Sequence, residues 1–116
     1  MIRRRGENIS SMELERAVLS HPAVAETAAV GVPSEMSDED VLIAVVPRAG
    51  QTLDARELSL HLQAIVPRFA NPRFIRVVEA LPKTQDTMRV QRHLLRAAGI
   101  PAGTWDRHVE LPEAGR

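Results

Sequence analysis

Cysteine and tyrosine are both missing from this chain, and its aromatic complement is one tryptophan and two phenylalanines. Without cysteine there is neither a disulfide framework nor a thiolate site, a composition that suits a reducing cytoplasm. So few rings leave no platform for unpaired bases, which argues against a single-strand nucleic-acid module. Net charge is missing too: 15 basic residues balance 15 acidic ones, so no overall field draws the chain to nucleic acid or to an anionic membrane. No apolar run approaches the length of a membrane span, and the arginines after Met1 lead into no signal-like apolar core. The six glycines form neither GxxxxGK-S/T nor GxGxxG, so the chain alone holds ATP in no familiar way. His21, His61, His93 and His108 show no paired metal spacing, and no GxSxG nucleophile elbow occurs.

What is present fits one soluble domain. The 116 residues, 44% hydrophobic and 26% charged, suffice for a single modest core and exclude a large multi-step enzyme. The opening IRRRGENISSMELE reads as strand, tight turn and helix. Gly6 allows positive φ and close approach of a ligand to the backbone, and Ser10 with Glu13 fits a capping box. Residues 11–20 carry a helical stripe at Leu14, Ala17 and Val18, stopped by His21-Pro22. His21 there reads as a turn residue and not as a ligand. Residues 23–32 alternate as a half-buried strand with Val24, Ala28, Val30 and Val32 on one face. The acidic Asp38, Glu39 and Asp40 lack the glycine and alternating oxygens of a calcium loop and read as part of a solvated turn. VLIAVV at 41–46 suits a central strand covered on both faces.

Asp54 caps a second helix running to about Val66, with Leu58, Leu62 and Ile65 inward and His61 beside that stripe as a packed or edge residue. Residues 73–79 alternate as a third strand, 81–87 are turn-like, and 90–98 resume helical spacing at Val90, Leu94 and Ala97 before Gly99. Trp105 is expected to tuck onto the body, leaving 106–116 as a tail whose last residues are loose. The expected fold is α+β: a small, mostly antiparallel three-stranded sheet plus an N-terminal strand or hairpin, packed with three helices. The remaining chemistry is cationic, at Arg3, Arg4 and Arg5 and at Lys83, Arg89, Arg92 and Arg96. Such clusters either pair with phosphates and carboxylates or form a solvated rim.

Two segments at the ends of the chain, RRGENIS at 4–10 and LPKTQDTMRVQRHLLR at 81–96, carry a family resemblance, joined by HPAVAETAAVGVPSE and the strand after Asp40. Over residues 2–105 the chain resembles the small C-terminal domain of adenylate-forming enzymes, the acyl- and aryl-CoA synthetases. It looks most like the branch of carnitine/crotonobetaine and fatty-acyl CoA ligases. The resemblance implies an ATP-dependent acid-CoA ligase in which a large N-terminal domain binds ATP, Mg2+ and a carboxylic acid, and this domain is a mobile lid, inactive alone. In one orientation the lysine of the closing motif LPKT-x-TGK stabilises charge as acyl-adenylate and pyrophosphate form. In the other, the loop around Gly6 lines the pantetheine tunnel as CoA attacks.

Carried onto this sequence, the catalytic position falls on Arg89, given one inserted residue near Gln85-Asp86, and the motif's glycine falls on Met88. Arg keeps the charge but not the shape of lysine. Arg5, Gly6, Glu7 and Lys83 become the cofactor-binding residues, with no metal ligand. The implied partners are the N-terminal domain, CoA or phosphopantetheine and the acid substrate, with no nucleic acid and no membrane span. The family's hinge is absent, so the chain begins just after it, as a cut piece would. Two other readings share these motifs: the lid of a carrier-protein-loading adenylation enzyme, and a stand-alone interaction module that kept the fold and lost the chemistry.

Overall fold

A computed structural model describes residues 2–4, 6–34 and 39–111. The chain opens with a hairpin, β1 (Ile2–Arg4) and β2 (Glu7–Ile9), in which Ile2 pairs with Ile9 and Arg4 with Glu7. Ile2 and Ile9 face inward, and Gly6 takes φ 81° in the turn, the left-handed region glycine enters without steric cost. Helix α1 (Ser11–Leu19) follows at once, its first turn capped by Ser10, whose hydroxyl accepts the Glu13 amide at 3.2 Å. Leu14 and Val18 are buried and Ala17 packs beside them, as the stripe predicts.

The main sheet has four strands in the order β3-β4-β5-β6. Strands β3 (Val24–Pro33) and β4 (Glu39–Pro47) are antiparallel over nearly their full length. After β4 the chain passes through α2 (Ala55–Ile65), capped by Asp54, and returns along β5 (Phe74–Val77), which is parallel to β4. The α+β reading stands, with a hairpin beside a larger sheet; β6 (Trp105–Asp106) extends that sheet and runs into a short helix, α4 (Arg107–Glu110). Two residues of strand and one turn of helix are below what periodicity can register. No helix among the described residues is long and apolar enough to cross a membrane.

The sheet separates two apolar clusters. One gathers Leu14, Val18, Ile43, Val45, Leu58, Leu62 and Ile75 beneath α1 and α2; the other gathers Ala28, Val30, Leu42, Phe74, Leu81 and Leu95 beneath α3 (Arg92–Ala98). Each fully buried valine, leucine or isoleucine among them contributes about 1.5–3 kcal/mol. The central-strand expectation for 41–46 holds, with every residue of it buried. Three other expectations are corrected. Strand β3 is covered on both faces, and a register shift between Val24 and Glu26 turns Val24 to the opposite cluster from Ala28, Val30 and Val32. In α3 the buried residue is Leu95, while Leu94 and Ala97 are exposed, because Val90 bridges Lys83 and Gln91 donates to the Pro82 carbonyl, delaying the helix to Arg92. Ile65, expected inside, is half exposed.

Candidate functional site

The acidic run before β4 is not a solvated turn where it is described. Asp38 lies outside the described residues, but Glu39 and Asp40 belong to β4, and Asp40 is only 4% exposed. Its carboxylate accepts from Arg73 Nη1 at 3.0 Å and lies 3.5 Å from Arg4 Nε. Arg73 also forks onto Asp106, with Nε and Nη2 at 3.0 and 3.1 Å from the two oxygens, and stacks 4.7 Å over the Phe74 ring. Arg4 is thus not part of an open cationic cluster: it is buried and donates to the Phe69 carbonyl besides. Buried charges persist only when paired in this way. Arg107, within the segment expected to be a tail, is 3% exposed and donates to the Pro72 and Asn71 carbonyls.

Burial drives the Asp106 carboxyl up, but the Arg73 hydrogen bond, the His108 amide and the nearby cations outweigh it and hold it below its ordinary value. Burial and the charges of Arg73 and Arg107 lower His108. His21 behaves as the turn residue expected: Nδ1 accepts the Ala23 amide at 3.0 Å and Nε2 meets Glu57 at 2.5 Å. His61 packs edge-on against it with ring centres 5.0 Å apart. No three His, Cys, Asp or Glu side chains gather as a metal site among the described residues.

Two exposed hairpin turns remain. Arg5, assigned to the first, lies outside the described residues; Gly6 and Glu7 are exposed. A Cβ placed on Gly6 would meet nothing within 4 Å, so the turn is open to an approaching chain. The second turn is closed by the Lys83–Val90 bridge. Lys83, the single lysine of the chain, is partnered by Glu26, whereas the Arg89 side chain is exposed and has no hydrogen bond or ion pair among the described residues. Met88 sits at φ 54°, the one described non-glycine residue on that side of the map. Arg92, also counted among the cations, is bound by Glu15 through contacts of 2.7–3.1 Å, and Glu15 accepts the Ala29 amide of β3 as well. Of the expected binding set, the structure leaves Gly6, Glu7 and Arg89 presented to solvent and occupies Lys83. The Arg4–Asp40–Arg73–Asp106 chain was missed by sequence reasoning; an acidic residue entering an apolar strand, with arginines elsewhere to meet it, was its one signal.

Residues 13–87 match the profile of the AMP-binding enzyme C-terminal domain. The chain belongs to that family. The domain is 37% identical to the acetyl-coenzyme A synthetase of Deinococcus radiodurans over 98 residues, which is 83% of this chain and 15% of that enzyme. It is 31% identical to the crotonobetaine/carnitine–CoA ligase of Proteus mirabilis, over 81% of this chain and 18% of the ligase. Among solved structures, the Brucella canis acyl-CoA synthetase superposes with a TM-score of 0.77 at 39% identity, covering 84% of the domain and 18% of that chain. The chain therefore spans less than a fifth of each of these relatives. The family match begins after the first hairpin and ends two residues before Arg89, so both turns lie at or beyond its margins.

Proposed function

We propose that this domain is the mobile lid of an ATP-dependent acid-CoA ligase, inactive by itself, working in the cytoplasm on acyl-adenylate formation and then on thioester formation with CoA. The observation that carries this reading is the second turn: its motif glycine is replaced by Met88, yet Met88 keeps a left-handed φ of 54° and hands on an exposed Arg89 that has no partner among the described residues. A backbone conformation that disfavours methionine is retained where the family has glycine. Arg89 then supplies a fixed positive charge to carboxylate and phosphate oxygens, and its planar fork can take two of them at once. Gly6 and Glu7, with Arg5, are assigned to the pantetheine of CoA, which the open side of Gly6 admits. Lys83 reaches a cofactor only by leaving Glu26. Mg2+ and most ATP contacts are assigned to a large N-terminal partner domain that also takes the carboxylic acid. The lid body is assigned to residues 1–105, with Asp106 and Arg107 clamping the start of the tail onto it.

The test is half-reaction kinetics in the ligase carrying this domain. Arg89→Ala is expected to slow acyl-adenylate formation by about 100-fold, the usual loss for one electrostatic donor. Thioester formation from supplied acyl-adenylate should stay within about twofold, since that step uses the other face of the lid. Equal losses in both steps would remove the role from Arg89.

A further inference from the structure

The Arg89 side chain has no partner among the described residues, but its backbone is pinned, chiefly by one residue. The Arg89 amide donates to the Thr84 hydroxyl at 3.1 Å, and the Arg89 carbonyl accepts the Thr84 amide at 2.9 Å. Between them the Met88 amide donates to the Thr84 carbonyl at 3.0 Å. The Thr84 and Thr87 hydroxyls are 2.8 Å apart, so Thr87 either donates to Thr84 or accepts from it. Thr84 therefore uses its amide, carbonyl and hydroxyl on the same loop, and all three act on residues 87–89. The loop is exposed from Gln85 to Arg89 and none of those residues enters either apolar cluster, so apolar packing does not hold it. Its shape depends on these polar contacts and on the left-handed Met88.

We propose that Thr84 is the positioning residue of the adenylate-forming step: its hydroxyl fixes the Arg89 backbone so that the guanidinium enters the reaction centre already oriented. This rests on the assignment of Arg89 made above. The inserted residue near Gln85-Asp86 lengthens the turn, and the Thr84–Thr87 hydroxyl contact closes the slack it introduces. Without the Thr84 hydroxyl the Arg89 amide loses its acceptor and the loop broadens over several conformers. The charge is then present but misplaced, and a misplacement of about 1 Å can cost of order 100-fold in rate.

Thr84→Val, Thr84→Ser, Met88→Val and Arg89→Ala are to be compared in the ligase carrying this domain, each half-reaction measured separately. Thr84→Val is expected to lower the adenylate-forming kcat at least tenfold, with little change in the KM for the acid and no change in thioester formation from supplied acyl-adenylate. Thr84→Ser, which keeps the hydroxyl, should restore that kcat to within twofold of wild type. Met88→Val puts a β-branched residue at positive φ without touching Thr84 and should give the same selective loss, which keeps the test alive should Thr84→Val fail to fold. A Thr84→Val kcat within twofold of wild type, or equal losses in both half-reactions, overturns the proposal while a slow Arg89→Ala leaves the assignment of Arg89 intact. An Arg89→Ala enzyme with normal adenylate formation overturns that assignment and the role of Thr84 with it.

Discussion

Two glycines of this domain separate backbone strain from steric clash. Gly6 combines a φ of 81° with open space, so Gly6→Ala is expected to cost about 1 kcal/mol by backbone strain alone, with no steric clash, as read by chemical denaturation. Gly31 is the opposite case: a Cβ there would fall 2.5 Å from the Glu39 carboxyl, which also accepts the Arg3 amide. His108 gives the domain an acid-side dependence. Its folded pKa lies below the ordinary 6.5, so the unfolded chain binds a proton first as pH falls. Stability is full above about pH 6.5 and declines below it until the folded pKa is passed. Asp106, also depressed, adds a second loss only when pH falls through the carboxylate range. Unfolding midpoints followed from pH 7.5 to 5 should slope downward, and His108→Ala should flatten that slope.

At the level of elements, local signals and long-range ones divide sharply. The N-caps of α1 and α2 were legible because a cap is a contact between neighbours: Ser10 accepts from Glu13 and Asp54 from Arg56; that of α4, where Asp106 accepts the His108 amide, was hidden in a helix of one turn. Ser10→Ala should lower stability by about 1 kcal/mol in a urea titration. The apolar run of β4 was legible because a strand covered on both faces has no polar side. By contrast, the two-sided burial of β3 depends on which helices later cover it, and the turned Val24 on a bulge, neither of which alternation can encode. The start of α3 was misplaced for the same reason: Val90 has helical spacing but pairs across a hairpin with Lys83. Helix α1 is tied to the outer strand β3 by Glu15, which takes the Ala29 amide at 2.8 Å and binds Arg92. Glu15→Ala should accelerate hydrogen exchange at the Ala29 amide at least tenfold, whereas amides in the middle of β4 should keep their protection.

For the molecule as a whole, the sequence motifs marked both turns, yet they could not say which cations were available. Arg4 and Arg92 look like Arg89 in a string of letters; the fold spends the first on Asp40, the second on Glu15, and leaves the third exposed. That sorting depends on partners 36 and 77 residues away in sequence. Asp40 is the centre of it, and Asp40→Asn should cost about 3 kcal/mol because the buried Arg4 loses its counter-charge while Arg73 keeps Asp106. Against a typical total of about 5–15 kcal/mol, that loss should be plain as a lowered midpoint in thermal unfolding.

The place of Arg4 also has a mechanical meaning. Its guanidinium reaches past the hairpin to Asp40 on the buried strand β4 and to the Phe69 carbonyl, so the first strand is riveted to the core of the sheet. Tension applied to that strand would reach β4 through the guanidinium as well as through the pairing of the hairpin.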